Sequence, residues 1–388
     1  MTLLRVVHVV PSLAWEDGGP SAAALGMVSA LAEAGVAVTL LTTDAGAGPG
    51  ALPISEAVSL HTFRCWPSQR YKFSPDLLRW MARHAGAYDV AHIHALFSPV
   101  STAAAWIARQ QGLPYVLRPL GTLDPADLQK KHWLKLRYGR WLEAPNLANA
   151  AAIHFTSEPE AAIAHRFGVA TRDVVLPLGV SLPSAPPDSD EADLRAQWGL
   201  SSDCPIVLFL GRFDRKKGIE LLMAALEQLQ AEGVAFHWIL AGANPYDPAY
   251  EKAVGDRLRR SPLQGQTIQP GFVTGALKAS VLGMADVSVL PSAAENFGIA
   301  VAEAMLASIP VVISEGVQIH LAVQSAGAGW VVPRQVDALT DCLRQVLQNP
   351  AERHRRGQAA QQLAAREYAW GAIAPQLIAL YQQILASA

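Results

Sequence analysis

Twice along this chain, short β-branched apolar runs alternate with alanine-rich stretches of helical length, and that repetition sharply limits the folds open to it. The first series runs Arg5–Val10, Pro20–Ala34, Val36–Leu41, Val90–His94, Val100–Gln111 and Tyr115–Leu117. Strand and helix patterns in alternation predict a doubly wound parallel sheet. The series restarts with Ile206–Leu210, Gly218–Ala231, Phe236–Leu240, Val287–Leu290 and Pro310–Ile313, which predicts a second α/β unit. Between them, residues 181–193 read SLPSAPPDSDEAD, rich in Pro, Ser and Asp and without periodicity, as a linker is. The expected layout is a first domain over 1–180, a linker over 181–203 and a second domain over 204–370. A length of 388 residues suits two domains of ordinary size.

Composition closes off several function classes. With 51% hydrophobic and 16% charged residues, the chain has ample core and is not disordered. A formal net charge of −2 gives no global attraction to nucleic acid, so an anionic partner must be held by a local patch. Cys65, Cys204 and Cys342 are odd in number, far apart and without metal-ligand spacing, which predicts a reduced compartment and no structural zinc. The start, MTLLRVVHVVP, has neither a basic region nor a small-residue cleavage site and reads as a buried strand. The longest apolar candidate for a membrane span, Phe297–Ile313, is broken by Glu303 and Pro310. The expectation is a cytoplasmic protein, with peripheral contact at the inner face of a membrane left open.

Several segments carry chemistry. In Pro291–Glu303, PSAAENFGIAVAE, Glu295 and Glu303 stand with seven residues between them across a strand-to-helix junction. Phe297, Gly298 and Ile299 open the helix, whose free N–H groups and positive end suit a phosphate. Taken alone, two glutamates at that spacing are better explained as a helix cap and a solvated carboxylate. The loop Gly211–Gly218, GRFDRKKG, follows a strand and precedes a helix, at the sheet end where open α/β folds bind ligands. Its Arg212 suits bidentate phosphate contact and Lys217 supplies a point charge, while Arg215 and Lys216 are expected to be solvated. Gly18 and Gly19 let a backbone approach a phosphate, although a tight turn before Pro20 explains them almost as well. In Val90–His94, alternation puts His92 and His94 on one face, with His94 nearer the carboxyl end. Asp188 and Asp190 lie in the acidic linker, where capping or solvation accounts for them better than a metal. Residues 130–141, KKHWLKLRYGRW, fit either an amphipathic helix with tryptophans in the core or a surface drawn to anionic lipid.

The segment Pro291–Glu303, together with Ala285-Asp286-Val287 before it and Pro310-Val311-Val312 after it, resembles the glutamate-seven-glutamate signature of the retaining family 4 glycosyltransferases. Other segments along nearly the whole chain fit the same family. The resemblance implies the GT-B architecture, two Rossmann-like doubly wound domains facing a central cleft, with a terminal helix over 371–388 that returns to the first domain. It further implies a sugar moved from a nucleotide-diphosphate-sugar donor to a glycan or lipid-linked glycan acceptor in polysaccharide biosynthesis. In that reading Arg212 and Lys217 clamp the diphosphate, Glu295 orients the sugar and Glu303 holds the ribose. Gly18 and Gly19 would face the donor, and no metal or other cofactor is expected. LRPLGTLDP, residues 117–125, resembles a loop lining the acceptor side; some members have a histidine where this chain has Leu120. His94, Arg118 and Asp124 are then the candidates for a polar acceptor contact. The alternatives are a nucleotide-sugar epimerase on the same fold or a non-catalytic sugar-nucleotide-binding protein. A dinucleotide-dependent oxidoreductase is disfavoured, because no Gly-x-Gly-x-x-Gly stands at a strand-to-helix turn.

Overall fold

The computed structural model describes residues 3–14, 18–45, 54–123, 132–182, 191–201 and 203–387. The chain divides into two compact units, one of Met1–Gly179 with Trp370–Ala388 and the other of Val180–Ala369.

The first unit is built on seven strands: β1 (Arg5–Val10), β2 (Ala37–Thr43), β3 (Ser59–Phe63), β4 (Val90–His94), β5 (Tyr115–Arg118), β6 (Ala152–Phe155) and β7 (Asp173–Val175). They form one sheet in the order β3-β2-β1-β4-β5-β6-β7, and every pairing is parallel. Alternation along each strand divides the core into two layers. Val7, Val9, Ala91, Ile93 and Leu117 pack with helices Pro75–His84 and Pro99–Gln110. Val6, Val10, Val90, Val116 and Ala152 face helix Gly19–Glu33 and the last helix, Trp370–Ser387. The last helix is wedged in by Trp370, whose indole fills the space where a Cβ on Gly26 or Gly179 would stand.

The second unit holds β8 (Ile206–Leu210), β9 (His237–Ala241), β10 (Thr267–Gly271), β11 (Val287–Leu290), β12 (Val311–Ser314) and β13 (Gly329–Val332), ordered β10-β9-β8-β11-β12-β13 and again parallel. Both sheets therefore reverse their direction of winding once, between β1 and β4 and between β8 and β11. Ligands of open α/β sheets bind at the carboxyl ends of the strands at such a switch point. Residues 191–201, within the stretch expected as a linker, belong to this unit. Glu191–Gln197 is helical, and Arg195 donates to the Met284 carbonyl at 3.1 Å. The acidic Glu191 and Asp193 suit the start of a helix, a local signal that the surrounding Pro and Ser obscured.

Candidate active site

At the β8/β11 switch point two loops dock on each other. The Lys216 carbonyl accepts the Ala293 N–H at 2.6 Å and the Ser292 hydroxyl at 2.9 Å. Close approach is possible because Gly218 ends the first loop at φ 77°, where a Cβ would overlap the Pro291 carbonyl oxygen. Docking brings Lys217 and Glu295 into an ion pair, both side chains mostly buried. The loop after β12 holds the other side of Glu295. Its N–H donates to Gly316 at 2.8 Å, and its carbonyl accepts from Gln318 at 3.0 Å. Arg334 adds a bond from Nε to the Pro291 carbonyl at 3.1 Å. Arg212 stands at the rim, partly exposed and 3.9 Å from the Asp214 carboxylate. Its neighbour Arg215 is exposed and lies over the Tyr250 ring, 4.6 Å from the centroid.

Helix Ile299–Leu306 starts beside this pair. Gly298, at φ 85°, caps it, and the Gly298 carbonyl accepts from Val301 at 2.8 Å and Ala302 at 3.0 Å. The N–H groups of Ile299 and Ala300 are first-turn donors beyond the reach of intrahelical bonding, at the positive end of the helix. Phe297 contributes backbone only, since its ring is buried edge-on against Tyr368 at 5.3 Å. One turn into the helix, Glu303 is buried and accepts from Lys278 at 2.5 Å. Burial raises the Glu303 carboxyl above its ordinary pKa, and the lysine opposes that shift.

The first unit concentrates its polar groups elsewhere, on the sheet face covered by the first and last helices. His8 stands in register with His92, and His94 with Arg118; all four are buried, as is His154 on β6. Their protonation follows from the bonds. Arg118 can only donate, so His94 Nδ1, 3.4 Å from Nη1, accepts and His94 Nε2 carries the proton toward His8 Nδ1 at 3.1 Å. By the same logic His154 Nε2 donates to the Leu176 carbonyl at 2.9 Å, His92 Nε2 points its proton to His154 at 3.5 Å, and the Tyr381 hydroxyl donates to His92 Nδ1 at 2.7 Å. Burial holds His8 and His154 at a pKa of about 3, so the imidazoles are neutral. Side-chain nitrogens of His8, His92 and His94 come within 4.8 Å of one another, but a cation among them would meet the adjacent Arg118 guanidinium.

Two family models match. Residues 18–179 match the glycosyl transferase 4-like domain and residues 190–363 the group 1 glycosyl transferases. The chain belongs to the group 1 glycosyltransferases. It is 26% identical to the phosphatidyl-myo-inositol mannosyltransferase of Mycolicibacterium smegmatis, over 98% of this chain and 94% of that one. To the alpha-D-kanosaminyltransferase of Streptomyces kanamyceticus it is 30% identical over 51% of this chain, and the match spans half the length of that relative. The solved structure of Anabaena HepE with UDP and glucose superposes with a TM-score of 0.77 at 18% identity, covering 98% of this chain and 100% of that one. Both parallel-sheet units thus conform to the GT-B fold of these glycosyltransferases.

Within this glycosyltransferase the residues singled out from sequence fall in three groups. Lys217, Glu295 and the helix start at Gly298–Ile299 come together, with Arg212 and Glu303 nearby on the same loops and helix. Gly18, at φ 71°, leads into helix Gly19–Glu33 at the end of β1. His94 and Arg118, the candidates for the acceptor side, are both buried, because their strand positions share the sheet face of Val90 and Val116 that the first and last helices cover. Asp124, Lys130, Lys131, Asp188 and Asp190 lie outside the described residues. Lys278 was missed by sequence reasoning, and nothing local distinguishes it in an ordinary helix, Gly275–Met284. His8 could have been found by the alternation that flagged His92. Of the basic aromatic segment, helix His132–Tyr138 and the following turn leave Trp133 68% and Trp141 72% exposed, with Leu136, Arg137 and Arg140 also at the surface. Those tryptophans do not enter the core. Lys135 lies over the Phe97 ring, 5.2 Å from its centroid.

Proposed function

We propose that this group 1 glycosyltransferase moves a sugar from a nucleoside-diphosphate sugar to a hydroxyl of a glycan or lipid-linked glycan, with retention at the anomeric carbon and without a metal ion. The observation that carries this reading is the Lys217–Glu295 pair at the β8/β11 switch point, beside the open start of helix Ile299–Leu306. Arg212, Lys217 and the helix N–H groups supply the positive potential that a departing diphosphate needs, the kind of contribution that usually dominates such a barrier. Binding of the diphosphate draws Lys217 from Glu295 and frees that carboxylate for the sugar hydroxyls. Glu303 holds the ribose after exchanging Lys278 for it. Retention proceeds by attack on the face the leaving group departs from, the leaving phosphate accepting the acceptor's proton, so no protein nucleophile is required.

UDP in the Anabaena neighbour supports a uridine donor, and the lipid named for the mycobacterial relative supports a lipid-linked acceptor. No helix among the described residues is long and apolar enough to cross a membrane. We place the enzyme in the cytoplasm, meeting an anionic membrane face through Trp133, Leu136, Arg137, Arg140 and Trp141, whose exposed aromatics and cations match an interface. Thermal-shift titration with UDP, GDP and ADP tests the donor: one nucleotide should stabilise the protein in proportion to its affinity. Indifference to all three would refute a nucleotide-sugar donor, and an inverted anomeric configuration by NMR of the product would refute retention.

A further inference from the structure

We infer that the first unit carries an oxyanion site on the free edge of Arg118, made for a carboxylate or phosphate borne by the acceptor. Only the naming of the acceptor as carrier rests on the transferase reading above. Arg118 ends β5 and is 1% exposed. Its Nη1 faces His94, whereas Nε and Nη2 have no hydrogen-bond partner among the described residues. Those two nitrogens share one edge of the planar guanidinium and present parallel N–H groups, the fork that two oxygens of a carboxylate or phosphate match. A buried charged fork left empty is costly, so the edge calls for a negatively charged acceptor.

Among the described residues no neighbouring side chain fills that need. Glu160, the carboxylate whose charge acts on Arg118, is committed elsewhere: one oxygen accepts from the Gly121 N–H at 2.8 Å, the other from the Thr156 N–H and hydroxyl, both at 2.7 Å. The Tyr381 hydroxyl donates to His92, and the proton order fixed above makes His8 Nε2 another donor without a partner. Unmet groups on this seam are thus all donors, which suits an anion and repels a metal. Burial lowers the Arg118 pKa only to about 10, so the fork stays charged at neutral pH.

Backbone geometry marks the same strand ends. Leu120, at φ 58°, follows β5, and Ala95 and Phe97, at φ 67° and 56°, follow β4. Left-handed non-glycine residues cluster where a binding site over-determines the backbone. The turn Pro119–Thr122, closed by a 3.3 Å bond, follows Arg118 directly in the chain, and its displacement would give a ligand access to the fork.

The test is calorimetry on the full chain with glucose 6-phosphate, glucuronate and glucose, using wild type, Arg118→Met and Arg118→Lys, with UDP titrated into each. At least one anionic sugar should bind wild type more tightly than glucose does, and inorganic phosphate or acetate should compete according to whether the phosphate or the carboxylate is preferred. Arg118→Met should weaken that binding about ten- to hundredfold, the worth of charged hydrogen bonds. Arg118→Lys, which keeps the charge without the fork, should fall between, and UDP affinity should be unchanged in both variants. Equal binding of glucose and both anionic sugars to wild type overturns the site, as does undiminished binding in Arg118→Met. Loss of UDP alongside the sugars assigns the fork to the donor and overturns it too. If UDP binds none of the proteins while the anionic sugar still requires Arg118, the donor reading fails and the oxyanion site stands. Should Arg118→Met not fold, the wild-type preference and Arg118→Lys decide.

Discussion

Lowering the pH from about 7.5 to about 5 should unfold the first unit well before the second. His8 and His154 are wholly buried, and burial takes each from an ordinary pKa of 6.5 to about 3. An unfolded chain binds a proton on each below pH 6.5. The folded unit does not, so stability present at neutral pH drains away as the pH falls toward the folded value. At about pH 5 each histidine stands roughly 1.5 units below its ordinary pKa, worth about 2 kcal/mol, or about 4 kcal/mol for the two. His92 and His94 are pushed the same way by the same burial and add to the effect, though not independently, because all four share one hydrogen-bonded seam. In the second unit the opposite sign operates at Glu303. Its folded pKa lies above the ordinary one, so that unit gains stability as the carboxyl takes up its proton.

A urea series at the two pH values separates the units if a brief deuterium pulse, at one common pH, reads the unfolded fraction peptide by peptide. With a urea slope of about 2 kcal/mol per molar, peptides from β1, β4 and β6 should lose about 2 M in midpoint. Peptides from β8, β11 and β12 should move far less. A common shift of both units, or an unmoved first unit, would refute the argument that the seam is held neutral by burial.

Lys217→Ala should lower kcat by about a hundred- to a thousandfold, the usual worth of one preorganised donor at a developing negative charge. Nucleotide release under saturating donor measures it, and near-normal turnover would move the diphosphate site elsewhere. Gly218→Ala should destabilise the second unit by more than about 1–2 kcal/mol, the strain of a left-handed alanine, because its Cβ also overlaps Pro291. An unchanged urea midpoint for that unit would contradict the loop docking. Saturating EDTA should leave transfer intact; full loss restored by Mg²⁺ or Mn²⁺ would reverse the metal-independent reading. Trp133→Ala combined with Trp141→Ala should abolish co-sedimentation with anionic liposomes at low salt while sparing UDP binding, and binding indifferent to lipid charge would point to a soluble acceptor.

How far the sequence could be read depended on whether a residue's partners were local. β8 and β11 were legible because Ile206–Leu210 and Val287–Leu290 are buried along their whole length, and burial on both faces writes an apolar run. β3, β7, β10 and β13 escaped because they stand at sheet edges, where polar residues and even Pro270 are tolerated, and β6 because its apolar run is only the four residues Ala152–Phe155 with His154 among them. Lys217 and Glu295 were legible as residue types on strand-end loops, but their pairing joins positions 78 apart, and Lys278 announces itself only once its helix is placed against Glu303. His8, His92 and Arg118 show the limit most clearly. Alternation assigns them to a buried face, where their chemistry conflicts with the rule that put them there, and the partner that satisfies His92 arrives from Tyr381, 289 residues away. Such a conflict is resolved either by a distant partner or by function. Tyr381 and Leu176 resolve it for His92 and His154; among the described residues nothing meets the Nε–Nη2 edge of Arg118 or Nε2 of His8, and those unmet donors are the ones the proposed anion would satisfy.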